Sequence, residues 1–296
     1  MEFKPREIAR WLCIIIPLAL AVGTACALFL WGLDLAVRTF LAHPQLLWLL
    51  PFAGVFIAWL YSRFGTNSEG GNNLLIDAVH GNDDSPLVPR RMAPLILATT
   101  WTTHLFGGSA GREGTAIQMG GALASAWSRQ LRLGAASTRL LLLCGVAAGF
   151  GGVFGTPFAG CIFAIEVLSI GRLKISALLP CLLAALVSNW AVHAWGVGHI
   201  HYQVAGYGFL NLILLAKVAL AAIAFGLAAK FFAELTHGLG HFFKVRIQNP
   251  LLRPFLGGFI LIGLVYGLGT RDYLGLGTVA THLGATTLKG RADGDG

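Results

Sequence analysis

Charge is what this chain has little of. Asp, Glu, Lys and Arg make up 11% of its 296 residues, where a soluble domain carries roughly 25%. Hydrophobic residues are 56% of the total and the mean hydropathy is +0.72, which makes a lipid bilayer the expected solvent. Cysteine is also scarce. Cys13, Cys26, Cys144, Cys161 and Cys181 all sit within apolar segments and are odd in number. That excludes a disulfide framework and a metal-ligand spacing, and leaves small buried hydrophobes. No motif for a metal or an organic cofactor is present. The net charge of +8 comes from basic residues scattered over short loops, so a nucleic-acid surface is excluded as well.

What the chain has instead is long uncharged runs. Residues 11 to 33, 39 to 62, 140 to 165 and 175 to 216 contain no Asp, Glu, Lys or Arg. A helix needs roughly 20 such residues to cross the hydrocarbon. The last run is long enough for two crossings, with Gly196-Val197-Gly198 as the turn. Helical segments are predicted near 11–40, 46–62, 92–107, 115–128, 139–151, 157–168, 175–195, 208–236 and 254–268. The N-terminal run resembles a signal peptide, with Ala25-Cys26-Ala27 as a cleavage-like site. It exceeds the roughly 7–15 residues of a secretory core, so it reads as a retained helix. Lys4, Arg6 and Arg10 precede it and predict a cytoplasmic N-terminus. Arg172 and Lys174 mark another inside loop, and the stretch from His193 to Gln203, free of Lys and Arg, an outside one.

Three turn-rich breaks interrupt these segments. Gly65 to Asn73 is rich in Gly, Asn and Ser; Ser109 to Gly114 holds Arg112 and Glu113; Gly149 to Pro157 ends in Gly155-Thr156-Pro157. Residues 92 to 111 and 114 to 128 lack charge, so Glu113 lies between two membrane-length segments. A carboxylate there is costly and marks a functional site. Each break precedes a short apolar segment, the best sequence pointer to a transporter binding site. Helix N-termini with bare glycine backbone bind anions through their unsatisfied N–H groups. Pro157 suits a first helical position, where its missing N–H has no partner to lose, and Thr156 can cap the same helix.

These residues resemble the CLC family of chloride channels and proton-coupled anion exchangers. Gly111-Arg112-Glu113-Gly114-Thr115 resembles the family's GREGP motif, and Gly71-Asn72-Asn73-Leu74-Leu75 falls where the family carries GSGIP. Gly145 to Gly160, followed by Ile162-Phe163-Ala164-Ile165-Glu166, resembles GAAAG, FNAPLAG and FxxEE in order. The resemblance implies an all-α membrane protein, an inverted-repeat bundle with broken, non-spanning helices. It implies a cytoplasmic segment at 1–10, a first membrane half at 11–195, the start of a second at 196–283 and a polar tail at 284–296. It further implies an inorganic anion and protons as partners, and a homodimer for a complete chain in the cell membrane. Glu113 would be gate and proton carrier. Gly71, Asn72, Asn73, Gly111, Arg112, Gly114, Thr115, Gly155 and Thr156 would form this half of the anion site. Met119 and Glu166 are candidates for the lining of the path; packing for Met119, and a contact to Arg172 or Lys174 for Glu166, are their structural alternatives.

The departures are informative. Asn72 stands where chloride exchangers carry a filter serine, and Thr115 where they carry proline. Both resemble the fluoride–proton antiporter branch, and an amide offers two donors where a hydroxyl offers one. Val167 occupies the place of the internal proton-relay glutamate. Neither a second-half filter loop of the GxFxP type nor its anion-contacting tyrosine is found after residue 250. A truncated, non-transporting remnant is therefore one competing reading. Another is an intramembrane serine hydrolase, because Gly107 to Gly111 matches G-x-S-x-G. That would make Ser109 the nucleophile and His104 or His193 the base, and would leave Arg112 and Glu113 without a role. His237 and His241 share a helix face, but no further ligand stands near them in sequence.

Overall fold

Long apolar runs broken by glycine build a bundle whose regular structure, among the described residues, is entirely helical. The structure, a computed structural model, describes residues 5–66, 68, 70–80, 88–167, 175–199 and 212–276. The order is α1 (Pro5–Ala42), α2 (Leu50–Phe64), α3 (Asn72–His80), α4 (Met92–Leu105), α5 (Arg112–Gln130), α6 (Ala135–Phe154), α7 (Pro157–Val167), α8 (Leu178–Ala194), α9 (Leu212–Arg246) and α10 (Leu252–Leu268). Short 3-10 turns at Pro44–Leu49 and Ile175–Ala177 lead into α2 and α8. Among the described residues, five helical stretches are long and apolar enough to cross a membrane, by length and composition.

The core is built on α6. Leu141 to Gly149 are buried without interruption, and α5, α7, α8 and α1 pack around them. Small residues make this packing close. Ala116, Gly120 and Ala124 on α5 face Gly145 and Gly149 on α6, and a methyl at Gly120 would run into the Gly145 carbonyl. Small residues at four-residue spacing let membrane helices approach until dispersion and backbone contacts hold them. On the other side of α6, Ser188 donates to the Ala148 carbonyl at 2.8 Å, which fastens α8.

α1 shows both solvents in one helix. Ile15, Leu18, Val22, Cys26, Phe29 and Leu33 recur every three or four residues and are buried, while Leu12, Ile16, Leu28, Trp31 and Leu35 are exposed. A helix that is apolar on its inner and outer faces alike suits a hydrocarbon surround. Gly32 leaves room for the Trp101 ring, whose Nε1 donates to the Phe29 carbonyl at 3.0 Å and ties α4 to α1. α2 packs on α10, where Gly258 lies against Pro51 and Ile262 and Val265 close a second cluster with Phe40, Leu47 and Leu50.

The boundaries depart from expectation in informative places. α5 starts at Arg112 rather than near 115, so both charges sit inside its first turn. α9 continues to Arg246, ten residues past 236, and Lys230 and Glu234 pair at i, i+4 within it (3.9 Å). Cys26, Cys144, Cys161 and Cys181 are buried as expected, but Cys13 is exposed on the outer face of α1. A thiol behaves as a small hydrophobe there too. The expected tail at 284–296, Arg172, Lys174 and part of the outside loop lie beyond the described residues.

Candidate functional site

Each sequence break becomes the start of a helix. Gly71, in the left-handed region at φ +55, leads into α3 at Asn72. Gly111, extended at φ −74 and ψ 141, leads into α5. Gly155, at φ +69, closes α6 through its N–H to the Gly151 carbonyl (2.9 Å) and hands the chain to α7 at Pro157. Thr156 is the residue before α7, and its carbonyl accepts the N–H of Gly160 at 2.9 Å, the bond expected of a capping position.

The first two starts meet. A Cβ built on Gly114 would lie 3.7 Å from Asn72 Nδ2 and 3.8 Å from Gln118 Nε2, and one on Gly71 would lie 3.4 Å from the same Gln118 nitrogen. Gln118 donates from Nε2 to Asn72 Oδ1 at 3.1 Å. Gln118 was missed in the sequence; its only signal is that it follows Gly114 by four residues, on one helix face. Asn73 is exposed but its N–H is committed to the Gly70 carbonyl at 3.0 Å. Asn72 is the member of that pair that turns to α5.

The two charges in the first turn of α5 separate. Arg112 lies over the Phe154 ring, 5.5 Å from its centroid. Glu113 folds back instead: a Cβ on Gly111 would stand 2.6 Å from its Oε2. The carboxylate thus lies against the N-terminus of its own helix, where the peptide dipoles add up to roughly half a positive charge. Among the described residues Glu113 forms no ion pair or side-chain hydrogen bond. It shares a cavity of about 340 Å³ with Ser109, Ala110, Gly111, Arg112, Gly275 and Leu276.

The third break reaches the same turn from another side. Thr156 and Phe154 line a larger cavity of about 790 Å³ together with Arg112, Asp34, Arg38 and His199. Asp34 and Arg38 neutralise each other across one turn of α1 at 2.8 Å. His199 bonds through Nε2 to the Gly152 carbonyl at 3.0 Å, and its ring covers Gly155. Nothing in the sequence announces this contact, which bridges a loop to a helix end 47 positions away.

The other candidates are placed elsewhere. The Thr115 hydroxyl is buried against Thr100 at 2.9 Å and faces α4, so only its backbone remains at the break. Met119 is fully buried in the main core. Glu166 is exposed near the far end of α7, about 14 Å along the helix from Pro157. The hydrolase constellation is not assembled. Ser109 donates its hydroxyl to the Tyr273 carbonyl at 3.2 Å, His104 bonds to Thr100 at 2.8 Å, and His193 stands beside His199 with ring centroids 5.3 Å apart.

Comparison with known proteins agrees with this geometry. A model of the voltage gated chloride channel family matches residues 53–289. The chain belongs to the voltage-gated chloride channel, or CLC, family. A chloride/fluoride channel protein of Pseudomonas syringae pv. tomato is 45% identical over 267 residues, covering 90% of this chain and 59% of the relative. The crystal structure of a CLC-type fluoride/proton antiporter superposes with a TM-score of 0.86 at 32% identity, over 94% of this chain and 70% of that one. A slow cyanobacterial Cl−/H+ antiporter shares the fold with a TM-score of 0.73 at 20% identity, over 85% and 62%. This CLC-family chain is therefore a multi-pass membrane protein with the CLC-type helical fold. It spans about 59% of the length of that curated relative.

Proposed function

We propose that the chain supplies the first anion-binding half of a CLC-type transporter, which moves fluoride or chloride across the cell membrane passively or against protons. One observation carries the reading. The starts of α3 and α5 lie side by side, with the Asn72 amide at Gly114 and the Glu113 carboxylate folded over Gly111. The site elements are Gly71 to Asn73 with the Asn72 side chain, Gly111 to Gly114 with the backbone of Thr115, and Gly155 with Thr156. Partial charges at helix starts attract an anion without the full cation that would trap it. Deprotonated Glu113 is attracted to the same place and competes for it. Protonation removes that attraction, frees the seat and loads a proton on the displaced side chain.

Further supports are the names of the relatives and Asn72, whose amide suits a small, strongly hydrated anion. The lengths of α9 and α10 mirror those of α1 and α2 (35 and 17 against 38 and 15 residues), which favours a second membrane half starting after 195. Lys4, Arg6 and Arg10 favour a cytoplasmic N-terminus. A homodimer follows from the family resemblance alone.

The test is halide efflux from liposomes containing the chain, followed with fluoride and chloride electrodes with and without a pH gradient. Efflux above protein-free vesicles is expected, and Glu113→Gln is expected to abolish it or to remove its dependence on the gradient. A folded, inserted chain that releases neither halide refutes the proposal.

A further inference from the structure

An amide is two-faced: its oxygen repels an anion and its nitrogen attracts one. Which face Asn72 turns to the break is thus decisive for the site, and helix geometry alone does not fix it. The neighbouring contact ties it to the amide of Gln118. Gln118 Nε2 donates to Asn72 Oδ1 at 3.1 Å, and this occupies the acceptor end of the amide. The donor end, Nδ2, then stands nearer Gly114, 3.7 Å from the Cβ position there against 4.0 Å for Oδ1.

We infer that Gln118 is the positioning residue of the anion site: it holds the Asn72 amide with its N–H groups toward the anion. Reversing both amides would keep their mutual bond but present Oδ1 to the anion. A bound anion selects between the two, and Gln118 holds the selected one by occupying Oδ1. Two features make the device workable. Gly114 and Gln118 share one face of α5, so Gln118 reaches Asn72 past a residue that has no side chain. Gly71 also lacks one, and Gln118 Nε2 lies only 3.4 Å from where a Cβ there would be. A Cβ at Gly71 would already touch the nitrogen that does the holding. Gln118 acts through Asn72 and need not touch the anion.

The inference rests on the anion-site reading above, and the experiment separates the two. The purified chain is titrated with sodium fluoride and sodium chloride by calorimetry, and fluoride efflux from liposomes gives KM and maximal rate. Gln118→Met keeps the length of the side chain without its donor; fluoride affinity is expected to fall about fivefold, the size of one ordinary hydrogen bond, with the maximal rate changed far less. Gln118→Glu can only accept, so it draws Nδ2 toward itself and turns Oδ1 outward; a loss of more than roughly tenfold is expected, because a charged partner bonds more strongly. The deciding measurement repeats both in an Asn72→Ala background. There Gln118→Met is expected to change nothing, and Gln118→Glu to keep only the part due to its charge. Double-mutant coupling of this kind is the signature of a residue acting through another.

If Gln118→Met binds fluoride like the parent, or weakens it equally with and without Asn72, the inference is overturned while the anion site stands. If the parent neither binds nor releases either halide, the anion-site reading falls and takes the inference with it.

Discussion

Replacing Gly120 by alanine adds one methyl group at the closest approach of α5 and α6. That methyl meets the Gly145 carbonyl oxygen and carbon, which are backbone atoms and cannot rotate away. Overpacking a filled site costs about 1–3 kcal/mol when side chains can adjust. With a rigid obstacle the upper end is expected, about 3 kcal/mol. The assay is unfolding in mixed micelles by added dodecyl sulfate, where helices persist and packing is what is lost. Helix propensity then largely cancels, so Gly226→Ala is the control: it lies inside α9 with none of the described residues within 4 Å of its Cβ position. That variant is expected within about 0.5 kcal/mol of the parent. Gly145→Ala presses on the Gly120 carbonyl in return, so the pair should cost less than the sum, since one separation of the helices relieves both. Glu113 lies seven residues before Gly120, about 10 Å up the same helix, and halide efflux should fall with the packing. Equal stability of Gly120→Ala and Gly226→Ala would refute the close-packed helix pair.

Gly111→Ala should fold, since its backbone suits any residue and, among the described residues, the only obstacle is the flexible end of Glu113. It should displace that carboxylate and weaken proton coupling, seen as halide efflux less dependent on a pH gradient. Thr115→Val should cost about 1–2 kcal/mol in the same unfolding assay, because the Thr100 hydroxyl loses a buried partner. Its fluoride-to-chloride ratio should stay unchanged, as the lost hydroxyl faces α4. Gly155→Ala combines a left-handed backbone with a collision against the His199 ring. A cost above about 2 kcal/mol is expected, partly relieved in a His199→Ala background.

The sequence showed the three breaks clearly, because glycine, proline and an isolated ion pair are local signals and local rules govern helix starts. Pro157 opens α7 where its chemistry says it should. The CLC-type fold followed from the order of the motifs. What stayed hidden was orientation. Thr115 and Gln118 both sit in the apolar stretch after Glu113, yet one points to α4 and the other to α3. Only the packing of α5 on α6 through Gly120 decides which face is which. Arg112 and Glu113 are adjacent in the chain but part company: Arg112 turns to Phe154 at the distant end of α6, while Glu113 folds back on Gly111 of its own turn. His199 is a tertiary contact with no periodicity behind it. The exposure of Cys13 was misjudged because, in a bilayer, outward does not mean polar.

With its arginine parked on an aromatic face, the acid at the start of α5 is untethered on both sides. Swinging it out severs no counter-ion and no hydrogen bond among the described residues. The toll for the carboxylate is the attraction of the helix start, about 0.3–1 kcal/mol at an exposed site, and side-chain hops of this kind take picoseconds to nanoseconds. If the proposed gating role holds, the side chain is not slow on its own account, and turnover would be timed by proton arrival and ion departure.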